Sequence, residues 1–247
     1  MVNDLPGGTL YIVSTPIGNL KDITLRALEV LSKMNLIAAE DTRRTRILLE
    51  HFNLKTPTTS YFDFNKEKKI PSLINRLKGG EKVALVCDAG TPGISDPGYR
   101  LIQACVENDI ALEVIPGVTA FVPALNLSSL PTDRFAFEGF LPRKKGRKTR
   151  IESLKDDPRT LIFYESPHRL QSTVADLAES LGNRRAALVK EVTKKFQEVH
   201  RGTLLELQAK LSQLTLKGEF VLVVAGKGKT GEKERGLTQN QCTAELD

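Results

Sequence analysis

The chain contains no tryptophan, two methionines, three histidines and three cysteines in 247 residues. The three cysteines, Cys87, Cys105 and Cys242, form no disulfide framework and no metal-ligand spacing. A reducing cytoplasm fits this usage, and no metal is expected. No apolar run reaches the roughly eighteen residues that cross a bilayer, so no membrane contact is expected. The N-terminus, Met1-Val2-Asn3-Asp4-Leu5-Pro6-Gly7-Gly8, lacks the basic start and apolar centre of a secretory signal. A Gly-x-Gly-x-x-Gly after the first predicted strand is also absent, which removes the dinucleotide fingerprint. Gly226-Lys227-Gly228-Lys229-Thr230 ends like a P-loop, but Val223 stands where that motif needs glycine, and polar sequence rather than a helix follows.

What is present is enough to build a core. The chain is 40% hydrophobic, and its length suits one large domain or two ordinary ones. The net charge of +6 is unevenly placed: residues 1–115 carry 14 basic and 14 acidic side chains, and residues 116–247 carry 22 and 16. A neutral half beside a basic half suggests two tasks, one toward a small ligand and one toward a polyanion.

Residues 1–116 alternate strand and helix patterns. Apolar strands are expected at 10–14, 36–39, 83–86 and 112–115, with amphipathic helices at 24–33, 43–51, 67–78 and from Pro97 to about 108. This order predicts a mainly parallel sheet with helices on both faces. Residues 117–226 repeat the theme with strands at 134–139, 160–165, 186–192 and 219–225 and helices at 167–181 and 204–213. They read as a second α/β or α+β domain. The stretch 227–247 is polar and low in apolar residues, as an unstructured tail would be.

The segment Asp88-Ala89-Gly90-Thr91-Pro92-Gly93-Ile94-Ser95-Asp96-Pro97-Gly98 stands out. It follows a buried strand and is longer and stiffer than the usual strand-to-helix loop of about two to six residues. Ligands of open α/β sheets bind at such strand ends, where glycine lets them approach the main chain. Thr15-Pro16-Ile17-Gly18-Asn19-Leu20 and Pro116-Gly117-Val118-Thr119-Ala120 end two further strands. Thr119 alone reads first as a helix cap. In Glu40-Asp41-Thr42-Arg43-Arg44-Thr45-Arg46, Asp41 or Thr42 can cap a helix whose first turns then hold arginines against the dipole. Either an anionic partner or salt bridges to Glu40, Asp41 and Glu50 would explain them. Arg143-Lys144-Lys145-Gly146-Arg147-Lys148-Thr149-Arg150 places six cations in eight residues around a flexible glycine, which favours phosphate binding. Tyr164-Glu165-Ser166-Pro167-His168-Arg169 and Lys190-Glu191-Val192-Thr193-Lys194 supply groups that can move or orient a proton.

Taken in order, these segments closely resemble the ribosomal RNA small subunit methyltransferase I family, a branch of the tetrapyrrole (corrin/porphyrin) methylases. The resemblance spans about residues 8–226. It implies an S-adenosylmethionine-dependent enzyme of two α/β domains with the cofactor in the cleft between them. The reaction it implies is 2′-O-methylation of a cytidine in 16S rRNA of the small ribosomal subunit, by a homodimer. Tetrapyrrole methylases carry Gly-Asp-Pro at the central loop, whereas this chain has Gly90-Thr91-Pro92. By position, Pro16, Asp88, Gly90, Thr91, Ile94, Ser95, Thr119, Ala120 and Tyr164 would line the cofactor cleft. A ribose hydroxyl is a poor nucleophile while protonated, so Glu165, Lys190, Glu191 and His168 stand as candidate bases. Arg43, Arg44, Arg143, Lys144, Lys145, Arg147 and Lys148 are the candidate RNA contacts. Methylation of a tetrapyrrole carbon, and a non-catalytic RNA-binding module, remain alternatives from sequence.

Overall fold

A computed structural model describes residues 8–228. Of the tail expected at 227–247, all from residue 229 onward lies outside the described residues, as do the first seven residues. The first sheet is built from β1 (Thr9–Val13), β2 (Leu36–Ala39), β3 (Thr58–Ser60), β4 (Val83–Val86) and β5 (Ala111–Ile115). All its pairings are parallel, in the order β3-β2-β4-β1-β5. The connecting helices are α1 (Leu25–Ser32), α2 (Thr42–His51), α3 (Lys66–Lys78) and α4 (Gly98–Glu107).

Side chains alternate across a strand, so the two faces of this sheet bury different residues. Tyr11, Val13, Ile37 and Ala84 pack on Ala27, Val30 and Leu31 of α1 and Leu49 of α2. Leu10, Ile12, Ala38 and Leu85 pack on Leu73 and Leu77 of α3 and Leu101 and Cys105 of α4. Helices thus cover both faces, as the sequence pattern predicts. Adjacent strands β1 and β4 lead into helices on opposite faces. Their exits therefore diverge and leave a crevice, the place where open α/β sheets bind ligands.

The second sheet holds β6 (Phe135–Phe140), β7 (Thr160–Glu165), β8 (Arg185–Lys190), β9 (Glu198–Thr203) and β10 (Phe220–Val224). Its order is β6-β7-β10-β8-β9, parallel only between β6 and β7. Three helices, α6 (Arg147–Ser153), α7 (Leu170–Leu181) and α8 (Leu204–Leu211), bury one face through Ile151, Val174, Leu177 and Leu207. The other face meets α5 (Phe121–Ser128) and Ile17 from the loop after β1. The two sheets therefore share a core exactly where the first sheet's loops project, and the side-chain bond from Thr193 Oγ1 to Asp22 Oδ2 at 2.5 Å closes the far end.

Three elements differ from the sequence expectation. β3 and β9 had no apolar alternation to announce them: β3 is a three-residue edge strand and β9 reads Glu-Val-His-Arg-Gly-Thr, half-buried at the opposite edge. The basic run is not a plain flexible loop, because Gly146 at φ +81° starts α6 and Arg147 enters the helix.

Leu222 lies fully buried in the central strand β10, between β7 and β8. Leu222→Ala should lower unfolding free energy by about 2–5 kcal/mol, as read from the denaturant midpoint at unchanged slope.

Candidate active site

The loops after β1, β4 and β5 meet at the crevice. Thr15 and Gly90 exchange backbone hydrogen bonds, with N–H to O=C distances of 2.8 and 3.0 Å. Gly90 holds φ +96°, a conformation that side chains rarely adopt. The Thr91 hydroxyl is within 2.8 Å of Ser14 Oγ and donates to the carbonyl of Val118 at 3.3 Å. Thr91 thus joins the loops that follow β1, β4 and β5. Ser95 of the same segment approaches β6 of the other sheet. A β-bulge there puts Gly139 at φ +61°, and a Cβ on it would stand 3.1 Å from Ser95 Oγ.

These contacts enclose a cavity of about 430 Å³, within the roughly 300–1,000 Å³ of small-ligand sites. Asp88, Gly90, Thr91, Ile94, Ser95, Thr119, Ala120 and Tyr164 all line it. Pro16 does not; it is buried behind, in a smaller hollow of about 130 Å³ that also touches Arg44 and Asp88. Thr119 is not the cap of α5. That position is Ala120, without a side-chain cap, and the Phe121 N–H donates instead to the Tyr164 hydroxyl at 3.2 Å. Burial pushes the Tyr164 phenol up to about 12, so it serves as a fixed polar post rather than a proton carrier at neutral pH.

The four candidate bases separate. Glu165 lines the cavity. Its carboxylate accepts from the Ser166 N–H at 2.8 Å and the Thr173 hydroxyl at 2.6 Å, and faces Arg169 at 3.4 Å. Lys190 points to β9 and is ion-paired with Glu198 at 3.0 Å. Glu191, at φ +51°, accepts from Lys194 Nζ at 2.9 Å and from the Glu219 N–H at 2.8 Å. Burial alone would raise its carboxyl; those donors hold it below the ordinary carboxylate range. It braces Glu219, a cavity residue, instead of entering the cavity itself. His168 is exposed in a neighbouring hollow with Arg143, Lys144 and Arg147.

The arginines at α2 also divide. Asp41 caps the helix by accepting from the Arg43 N–H, and the Arg43 guanidinium folds back onto the same carboxylate at 2.7 Å. Arg44 reaches Asp88 at 3.5 Å and lines the cavity. Lys145 and Lys148 are exposed on the basic segment.

Sequence reading missed Glu40, Asp96, Phe140, Gly218 and Glu219, all of which line the cavity. Glu40 and Asp96 sat inside segments already singled out, and their carboxylates at strand ends were the available signal. Gly218 and Glu219 lay in no motif. The cavity is acidic: Glu40, Asp88, Asp96 and Glu219 line it, and Arg44 is the one cation among its lining residues. Burial raises the carboxyl of Glu40, reinforced by Asp88 and Asp96, and an N–H bond from Asp88 only partly offsets this. Burial likewise raises Asp88, against the opposing Asp41 N–H and Arg44. Such a site favours a cationic ligand, which would relieve the repulsion.

The model of the Tetrapyrrole (Corrin/Porphyrin) Methylases family matches residues 9–208. Among individual proteins, the chain is 50% identical to the ribosomal RNA small subunit methyltransferase I of Halalkalibacterium halodurans, over 92% of this chain and 79% of that one. It is 51% identical to the enzyme of that name from Synechocystis sp., over 97% and 86%. A uroporphyrin-III C-methyltransferase from Thermus thermophilus, solved with S-adenyl homocysteine, shares the fold: TM-score 0.65, 17% identity, 88% and 97% coverage. The chain belongs to the tetrapyrrole methylase family and, within it, to the ribosomal RNA small subunit methyltransferase I family.

The raised carboxyl of Glu40 gives a stability test. Its folded value lies above the ordinary 4.5, so its ionised form costs stability once pH exceeds that value. Glu40→Gln should therefore melt above wild type at pH 7, with the gap closing as pH falls to about 4.5 and below, measured by thermal unfolding across that range.

Proposed function

We propose that this protein transfers the methyl group of S-adenosylmethionine to 16S rRNA of the small ribosomal subunit, on the 2′-hydroxyl of a cytidine. The observation that carries this reading is the division of charge: an acid-lined cavity at the sheet crevice opens beside a basic hollow, with Phe140 and Ser166 common to both. The first suits a small cation and the second a polyanion. Family membership supplies the reaction class.

The residues fit the cofactor. Gly90, Ala120 and Ile94 leave room and apolar surface, Thr119 and Ser95 offer hydroxyls, and Glu40, Asp88 and Asp96 complement positive charge. S-adenosylmethionine supplies an electrophilic methyl group on a sulfonium. The chain's own task is to hold the attacking hydroxyl in line, exclude water and accept a proton. Glu165 alone among the four candidate bases lines the cavity, but its side chain is fully buried and its carboxylate turns to Ser166, Thr173 and Arg169, so we assign it to holding that wall and assign the proton to none of the four. Lys190, Glu191 and His168 then have supporting roles, the first two in bracing the wall after β8. We further assign residues 1–116 to cofactor binding and residues 117–226 to RNA. Acting on small subunits, the enzyme works in the cytoplasm. Among the described residues no helix is long and apolar enough to cross a membrane.

Gly90→Val forces a branched residue into φ +96° and should weaken S-adenosylmethionine binding at least tenfold by calorimetry. Ala120→Leu, at an ordinary φ of −64°, should do so without that backbone strain. If both folded variants bind as wild type, the cavity is not the cofactor site.

The family also suggests a homodimer, and β5 offers a surface for one. It is an edge strand with Leu112 37% and Val114 53% exposed, the kind of edge that pairs readily with another chain. Sedimentation at micromolar concentration should give about twice the 27.3 kDa chain mass; an active monomer would refute it.

A further inference from the structure

The hollow beside the cavity measures about 780 Å³ and is bounded by the β6–α6 connection and the turn opening α7. Two of its arginines belong to the framework. Arg147 donates to Asp176 and to the Thr173 hydroxyl, each at 2.8 Å. Arg169 donates to the carbonyl of Leu141 at 2.7 Å and faces Glu165. Arg143, Lys144 and His168 differ: they are exposed and make no ion pair within the described residues. No Asp or Glu lines the hollow.

Phe140 stands on the ridge between the hollow and the acidic cavity. It is 54% exposed and is steadied edge-on by Tyr164, with ring centroids 5.7 Å apart. A half-exposed ring adds little to the core, yet it offers a flat apolar face between a methyl-transfer site and unpaired cations. Single-stranded nucleic acid is bound by this combination, aromatic faces for bases and cations for the backbone. A duplex is not, because its bases are stacked away.

We propose that this hollow binds the RNA strand adjoining the methylated nucleotide, with an unpaired base stacked on Phe140 and the phosphodiester held by Arg143, Lys144 and His168. The inference rests on the ribosomal RNA reading above. It makes Phe140 a substrate-binding residue and gives His168 an anion to hold instead of a proton to move. It also separates Arg143 and Lys144, which meet RNA, from Arg147, which builds the wall.

The test uses intact protein, small ribosomal subunits lacking the modification, and labelled S-adenosylmethionine. Phe140→Ala should raise KM for subunits about tenfold or more, since stacking contributes about 1–3 kcal/mol per base, and cofactor affinity should change far less. Phe140→Tyr should restore KM to near wild type. The double variant Arg143→Ala/Lys144→Ala should lower the slope of log affinity on log salt by about 0.7 for each lost contact, with cofactor affinity unchanged. A wild-type KM in Phe140→Ala, equal losses in the Ala and Tyr variants, or an unchanged salt slope would each overturn the proposal while leaving the ribosomal RNA reading intact. No label in RNA with wild-type enzyme, or label in subunit protein, would overturn the reading itself.

Discussion

The reciprocal backbone pairing of Thr15 with Gly90 joins the exits of two strands that diverge to opposite faces of the sheet. Without it, the crevice between β1 and β4 would be a gap between independent loops. With it, the loop after β4 becomes a continuation of the sheet edge, and Gly90 must then take a positive φ to turn back out. The Thr91 hydroxyl, set by that turn, reaches both Ser14 and the Val118 carbonyl. The loop after β5 is fixed by the same few atoms, and so is the start of α5 that packs on the second sheet. The cavity wall, the inter-sheet core around Ile17 and the approach of Ser95 to Gly139 all depend on this small hydrogen-bonded unit.

That geometry has an electrostatic cost. Carboxylates at strand ends converge where the sheets close, and the low dielectric strengthens their repulsion. Burial raises the carboxyls of both Glu40 and Asp88, and neighbouring carboxylates add to the rise. Such costs are tolerated where a ligand relieves them. A cation in the cavity lowers the energy of the ionised acids, so ligand affinity and the acids' ionisation are linked. The neighbouring hollow carries the opposite sign, and the ridge at Phe140 and Ser166 keeps the two fields apart over a short distance.

Much of this was legible in the sequence because it rests on local signals. Buried parallel strands appear as short apolar runs, and Gly90, Pro92 and Gly93 mark a stiff turn wherever the chain goes next. The resemblance to a known family then supplied reaction and cofactor. What could not be read was pairwise. Nothing in Lys190-Glu191 announces that one faces Glu198 and the other holds the Glu219 N–H. Nothing in the basic run separates Arg147, which finds Asp176 across a helix pair, from Arg143. Phe140 lies just outside the strand expected at 134–139, and only the fold puts it at the end of β6, on the ridge that the cavity and the hollow share. Polar edge strands such as β9 escape for a related reason: none of its residues is fully buried, so no apolar face marks it in the sequence.

The two sheets carry different constraints on change. The first holds its loops through main-chain atoms and one hydroxyl, so many side chains can vary while the crevice persists, provided the positive φ at Gly90 remains possible. The second lines its hollow with side chains: Phe140, Arg143, Lys144 and His168 extend from a framework fixed by Arg147, Arg169, Thr173 and Glu165. A fold that keeps the first arrangement and rebuilds the second can move one cofactor chemistry between acceptors as different as a macrocycle and a nucleic acid. Glu165 is the point of contact between them, since it forms part of the cavity wall while its buried carboxylate bonds to Thr173 and faces Arg169. A ligand seated in the hollow would therefore bear on that wall through Arg169 and Thr173, which links occupation of the hollow to the shape of the cavity.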